Sequence, residues 1–159
     1  MPLDRNHCGD RWLEHEAFSS FLFEGNKVIV KLDFSCRGED GIAIYDWKTG
    51  RSDDPGDATQ RACYALYAME HWRLSVGSVT VNEFHLATGK LFEYPADPAG
   101  IDGFRDYLRG SIRDMRMLLR DPDKNEAAEE DFIKAENGRI CGRCRFRKVC
   151  RPEVLKTRE

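Results

Sequence analysis

Two short apolar runs, residues 28–34 and 42–47, flank the segment Gly38-Glu39-Asp40-Gly41, and this arrangement constrains the chain more than any other. Both runs are of strand length, rich in Val, Ile and aromatic residues, and bounded by turn-forming residues. That is the pattern of a β-hairpin. With residues 38–41 as a four-residue loop, Arg37 faces Ile42, and counting outward sets Asp33 opposite Asp46. Directly opposed residues on antiparallel strands share a face, with Cβ atoms about 4.5–5.5 Å apart. Two carboxylates that close repel each other unless a positive charge lies between them. A hard divalent cation with oxygen ligands, Mg2+ or Mn2+, meets that need.

The neighbouring residues extend the same chemistry. Lys48 lies two residues beyond Asp46 and therefore on the same face. There its ammonium can orient an attacking water or stabilise charge building on a phosphate. Trp47 directs its side chain the other way but leaves its backbone carbonyl available to the ion. A helix is predicted over residues 59–73, on which Gln60, Tyr64 and Tyr67 form one strip by i, i+3 and i+4 spacing. That strip is expected to face the acids. Asp46-Trp47-Lys48 alone suits a solvated hairpin end. The shared face, the apolar approach through Ile42 and Ile44 and the following helix together favour phosphodiester cleavage.

The rest of the chain reads as mixed α/β. Strands are expected over 12–24, 27–36 and 41–48, and again over 78–87, where Val79 and Val81 alternate with polar residues. Thr88-Gly89-Lys90 forms a turn into a short return strand at 91–94. Apolar residues at 101, 104, 108, 112, 115 and 119 predict a helix over 101–119. An acidic break at 121–130 precedes a short helix around 131–133. A chain of 159 residues suits one domain with a real core. It has no apolar run of the length that spans a bilayer, and Met1-Pro2-Leu3-Asp4-Arg5-Asn6-His7 lacks the apolar stretch of a signal peptide. A cytoplasmic protein without a membrane partner is the expectation.

The net charge of −3 argues against a generic basic coat for nucleic acid. The positive charge is instead localised: from Arg139 onward there are eight Lys or Arg and two acids. This segment holds Cys141, Cys144 and Cys150 in a C-x2-C-x5-C run. Thiolates so close suit a metal site in a reducing compartment better than disulfides. The run itself leaves zinc and iron–sulfur both open, because structural zinc takes four Cys or His ligands and iron–sulfur clusters usually four Cys. Arg143, Arg145, Arg147 and Lys148, set between the cysteines, would attract phosphate without reading sequence. Cys36 and Cys63 read as plain structural cysteines.

These segments together resemble the PD-(D/E)XK nuclease superfamily, in particular its RecB-like branch. Val30-Lys31-Leu32-Asp33-Phe34 looks like the branch's second motif, Ile44-Tyr45-Asp46-Trp47-Lys48-Thr49-Gly50 like its D-Y/W-K-T-G motif, and Gln60-Arg61-Ala62-Cys63-Tyr64 like its Q-x-x-x-Y motif. The cysteine run is similar to the C-terminal trio of the iron–sulfur exonucleases of the AddB and CRISPR-associated type. The resemblance implies a restriction-endonuclease-like α/β fold, with a mixed central sheet flanked by helices and a C-terminal cysteine-rich cluster element. Residues 1–137 would form the nuclease-like core, and residues 138–159 would pack on the same domain. It further implies Mg2+ or Mn2+ held by Asp33, Asp46 and the Trp47 carbonyl, a catalytic Lys48, and Gln60 and Tyr64 near the scissile strand.

The same resemblance implies a 4Fe-4S cluster on Cys141, Cys144 and Cys150, with zinc as the alternative, and a fourth cysteine upstream. Cys8 is the sole upstream cysteine. The family carries a long helical segment before the Asp33 position, supplying that cysteine and a further metal ligand, whereas here 32 residues precede Asp33. His7, Glu14, His15 and Glu16 are the candidates for the ligand. Glu16 is preferred because it enters the apolar run from Phe18. The implied function is a metal-dependent DNA nuclease, an exonuclease on single-stranded DNA or DNA ends, in DNA repair or CRISPR adaptation. The alternative is a catalytically incomplete DNA-end-binding or assembly subunit, with a protein partner completing the N-terminal part.

Overall fold

A computed structural model describes residues 12–38, 40–50, 57–133 and 138–150, apart from the Lys148 side chain. The chain divides into two compact units, Met1–Ile112 and Arg113–Glu159.

The first unit is built on a hairpin that folds over on itself. The sequence predicts single strands over 12–24 and 27–36, but each is broken in two. β1 (Trp12–His15) and β2 (Phe18–Phe23) come from the first run, and β3 (Asn26–Lys31) and β4 (Phe34–Arg37) from the second. β2 pairs with β3 from Phe18↔Lys31 to Phe23↔Asn26, and β1 pairs with β4 from His15↔Phe34 to Trp12↔Cys36. The break falls where Glu16 takes a left-handed φ of 45° and Asp33 sits in a bend. The two points stay joined, because the Glu16 N–H donates to the Asp33 carbonyl at 2.9 Å. Phe21 and Val30 on the inward side of β2–β3 are buried, and Phe21 meets Tyr67 of the first helix at 6.3 Å between rings. Burying that inner face offsets the cost of the bend, which explains why continuous β-forming sequence did not reveal it.

β5 (Ile42–Lys48) follows a loop in which the Gly38 N–H donates to the Gly41 carbonyl at 2.8 Å. Its ladder with β4 runs from Arg37↔Ile42 to Phe34↔Tyr45, the register expected from the four-residue loop. α1 (Ala58–Trp72) then crosses to β6 (Val79–His85), which lies parallel to β5, and β7 (Lys90–Pro95) returns antiparallel. The result is a five-stranded mixed sheet in the order β1-β4-β5-β6-β7, beside the two-stranded β2–β3 sheet. Asp57 caps α1, its carboxylate accepting from the Thr59 N–H at 2.8 Å, and the helix ends at Arg73 in the left-handed region.

Pleating sorts β5 into two faces. Ile42 and Ile44 pack with Val79 and Val81 of β6 against Ala65, Leu66, Tyr67 and Ala68 of α1. α2 (Pro98–Met117) adds Ile101 and Phe104 to this core, with Leu108 and Ile112 packed against it. Its start lies ahead of the predicted position because Asp97 accepts from the Gly100 N–H at 2.8 Å, and Pro98 is suited to the first helical turn. The inward stripe stops at Ile112, and Met115 and Met117 are exposed.

The second unit holds the end of α2, a 3-10 turn at Glu129–Asp131, α3 (Gly138–Arg143) and α4 (Arg147–Cys150). The helical turn expected around residue 131 thus lies slightly earlier. Arg120 clamps this turn, bonding Glu130 and Asp131 at 2.7 Å each. Among the described residues no helix is long and apolar enough to cross a membrane. Cys36 is disulfide-bonded, which corrects its reading as a plain cysteine, while burial pushes the Cys63 thiol up to about 11 and leaves it inert.

Gly41 is fixed by a close approach of backbone. A Cβ there would stand 2.1 Å from the Ser78 carbonyl oxygen and 2.7 Å from its carbon. Gly41→Ala therefore forces the β5 entry away from the β6 entry. The expected cost is about 1–3 kcal/mol of stability, read as a lowered urea midpoint with unchanged slope.

Candidate active site

Extending the β4–β5 ladder by one step beyond Phe34↔Tyr45 brings Asp33 level with Asp46. Asp33 has left the ladder by then, and its side chain takes over, Oδ2 accepting from the Trp47 N–H at 2.9 Å. A strand residue directs its N–H and C=O to the same neighbour, so the Trp47 carbonyl also points toward the β4 side, where Asp33 lies.

Asp46 is 7% exposed. The Lys48 ammonium meets its Oδ2 as an ion pair outside hydrogen-bonding alignment. The same ammonium donates to Gln60 Oε1 at 2.8 Å. Gln60 Nε2 donates to the Tyr64 hydroxyl at 2.8 Å, and that hydroxyl donates to Asp46 Oδ1 at 3.4 Å. The ring Asp46–Lys48–Gln60–Tyr64 thus closes between β5 and the first turns of α1. Desolvation, reinforced by the Asp46 charge, pushes the Tyr64 phenol well above its ordinary value, so it remains a neutral donor.

The donor set fits a hard divalent cation. Asp46 Oδ2 is buried with the Lys48 ammonium as its ion-pair partner, and Asp33 supplies a second carboxylate at the same level; oxygen donors of this kind suit such an ion. No group of three or more His, Cys, Asp or Glu is gathered for one ion among the described residues.

A model of the PD-(D/E)XK nuclease superfamily matches residues 3–151. The chain belongs to the PD-(D/E)XK nuclease superfamily. Members are usually phosphodiesterases acting on DNA with Mg2+ or Mn2+, and the five-stranded mixed sheet with its helices is consistent with the restriction-endonuclease-like fold. A solved structure of a protein called SSO0001 is similar at 15% identity and a TM-score of 0.40, covering 87% of this chain and 59% of that one. The chain thus spans less than two thirds of that protein's length. No curated protein matches the sequence.

Within this PD-(D/E)XK chain the structure brings Asp33, Asp46, Trp47, Lys48, Gln60 and Tyr64 together. Glu16 contributes a backbone bond to Asp33, and its side chain is exposed. The acid that turns inward from β1 is Glu14. Its Oε1 accepts from the Tyr67 hydroxyl at 2.7 Å and the Ser19 hydroxyl at 3.2 Å, and its buried Oε2 has no hydrogen-bond partner among the described residues. Burial, above all, raises Tyr67 to about 12.

Cys8 lies outside the described residues. Cys141, Cys144 and Cys150 are outside any disulfide, on α3, the turn after it and the end of α4. Their thiols are not gathered around one point. Arg143 and Arg145 are exposed and Arg147 half-buried, while the Lys148 side chain lies outside the described set.

Sequence reasoning missed Arg61 and Glu83. Glu83 pairs in register with Asp46, is 0% exposed, and accepts from Arg61 Nη1 at 2.9 Å. Arg61 also lies over the Tyr94 ring at 4.0 Å. The alternation of Val79, Val81 and Glu83 was the available signal, since it puts Glu83 on the buried face. Arg61→Ala removes the guanidinium bonded to this buried carboxylate. A loss of about 3–5 kcal/mol is expected in urea unfolding, with a smaller loss when Glu83→Gln is added to that variant.

Proposed function

We propose that the chain is a metal-dependent deoxyribonuclease of the RecB-like branch, an exonuclease acting on single-stranded DNA or DNA ends. The observation that carries this reading is the Lys48 ammonium held between Asp46 and Gln60, with Asp33 tied to the adjoining peptide. Asp33, Asp46 and the Trp47 carbonyl would hold Mg2+ or Mn2+. Bound there, the ion supplies charge to a phosphate oxygen and acidifies a water. Lys48 places the nucleophile and offsets negative charge developing on the phosphorus oxygens. Gln60 sets the Lys48 position and, with Tyr64, lines the path of the strand. As a neutral phenol, Tyr64 donates a proton to a hydrogen bond without adding negative charge beside the acids.

Incubating the purified chain with end-labelled single-stranded DNA and Mn2+ tests this. Lys48→Ala is expected to reduce cutting at least about a hundredfold with an unchanged thermal melt, and Asp46→Ala to behave alike. Cutting by Lys48→Ala at the wild-type rate rejects the reading.

A second reading, an end-binding or assembly subunit that does not cut alone, is favoured by the absence of a third gathered acid among the described residues. It predicts metal-independent DNA binding and no cutting by the wild type in the same assay.

The likeness of the run Cys141, Cys144 and Cys150 of the C-terminal unit to the iron–sulfur exonucleases' trio, with all three free of disulfides, supports a structural 4Fe-4S cluster, with zinc as the alternative. No catalytic step depends on it, and the thiols would have to converge to bind it. Arg143, Arg145, Arg147 and Lys148 would add phosphate contacts from the same unit. A brown preparation with visible absorbance, iron and acid-labile sulfide is expected. A colourless preparation containing zinc rejects the cluster.

A further inference from the structure

The outward face of β2–β3 has no role in the site described above. Phe18, Ser20 and Leu22 from β2 share it with Lys27, Ile29 and Lys31 from β3. Phe18, Leu22 and Ile29 are 79%, 71% and 67% exposed. The register sets Phe18 opposite Lys31, Ser20 opposite Ile29 and Leu22 opposite Lys27, so cations and apolar groups interleave across the ribbon. Lys31 Nζ stands 5.5 Å from the centre of the Phe18 ring. Among the described residues, the outward positions of β2 and β3 carry no acid, although the whole chain carries a net charge of −3.

The position matters as much as the chemistry. The last pair of the ribbon, Phe18↔Lys31, is two residues from Glu16 and Asp33, where a backbone bond of 2.9 Å marks the fold of the hairpin. The face therefore begins beside the first acid of the candidate active site. Lys27 and Lys31 are four residues apart on one strand, about 13 Å, far enough to engage separate phosphates. An exposed aromatic ring beside one cation, with a second cation further along the strand, is a composition that suits single strands: bases stack on the ring and the backbone lies along the charge. A purely apolar protein partner would bury both lysines without counter-charge, which is costly. A polyanion with flat apolar bases satisfies both components.

We propose that the outward face of β2–β3 is a platform for single-stranded DNA, with a base against Phe18 and phosphates at Lys27 and Lys31. The choice of DNA rests on the nuclease reading above. Duplex DNA keeps its bases stacked inside, so the platform favours single strands and leads them toward Asp33.

Fluorescence anisotropy of a labelled oligothymidine, titrated with the full chain in EDTA, measures binding apart from cutting. Phe18→Ala and the double variant Lys27→Glu/Lys31→Glu are each expected to weaken binding about tenfold or more, and Phe18→Trp to retain it. The lysine variant should also lower the slope of log affinity against log salt by about 1.4. These positions are exposed, and thermal melts by circular dichroism confirm that the variants fold. Absence of binding by the wild type, or wild-type affinity in the variants, overturns the proposal. So does loss of a concentration-dependent dimer in sedimentation at unchanged DNA affinity, which would make the face a contact between copies. Failure of the wild type to cut in Mn2+ rejects the nuclease reading and leaves this comparison of affinities standing.

Discussion

The bond from the Trp47 N–H to Asp33 Oδ2 is the contact on which the first unit turns. In an uninterrupted hairpin that amide would be served by backbone from the opposing strand. Here the opposing chain bends away at Asp33, and a side chain supplies the acceptor that a buried backbone donor requires. Two consequences follow from one substitution of acceptors. The far half of the hairpin is released to cover α1 with Phe21 and Val30, and Asp33 is held one peptide away from Asp46. The bend that builds the core is therefore the bend that builds the site.

Asp46 shows how the surroundings then set the character of the site. One of its oxygens faces an ammonium and the other a phenol that burial keeps neutral. Neither the lysine nor the glutamine behind it is rigid by itself, since both have several rotatable bonds. Linked as Lys48–Gln60–Tyr64, they restrict one another, and the helix that carries two of the three is fixed by its Asp57 cap. Such a network lets a flexible ammonium occupy a defined place beside a carboxylate.

Local signals were sufficient for the central hairpin. Glycines at 38 and 41 set the loop length, the loop length set the register, and pleating then assigned Ile42, Ile44, Asp46 and Lys48 to one face. The strip Gln60, Tyr64 and Tyr67 was equally readable from helical spacing. What could not be read was the break at Glu16 and Asp33, because neither residue is a glycine or proline and both lie between runs rich in strand-forming residues. Its cause is the burial of the far hairpin on α1, a contact between segments distant in sequence. For the same reason the sequence points to Glu16 rather than Glu14. In a straight strand their parity is equal, and only the left-handed turn at Glu16 separates an exposed side chain from an inward one. The acid row has a comparable limit: Val79 and Val81 foretell that Glu83 is buried, but nothing local foretells that Arg61 will meet it.

That acid row gives the site its direction. Asp46 and Glu83 are paired in register, and Asp33 follows the last β4–β5 pair on the other side of Asp46. Each is given a different companion: a peptide N–H, a lysine with a neutral phenol, and an arginine. The Glu83 carboxylate, fully buried, is bonded to a guanidinium that lies over the Tyr94 ring. A peptide N–H removes far less of the charge on Asp33. Asp33, bonded to a peptide N–H, thus lies at the β4–β5 end of the row, next to the bend and on the side to which the Trp47 carbonyl points. The proposed cation site is at that end, where the carboxylates of Asp33 and Asp46 are nearest the Trp47 carbonyl in sequence and register.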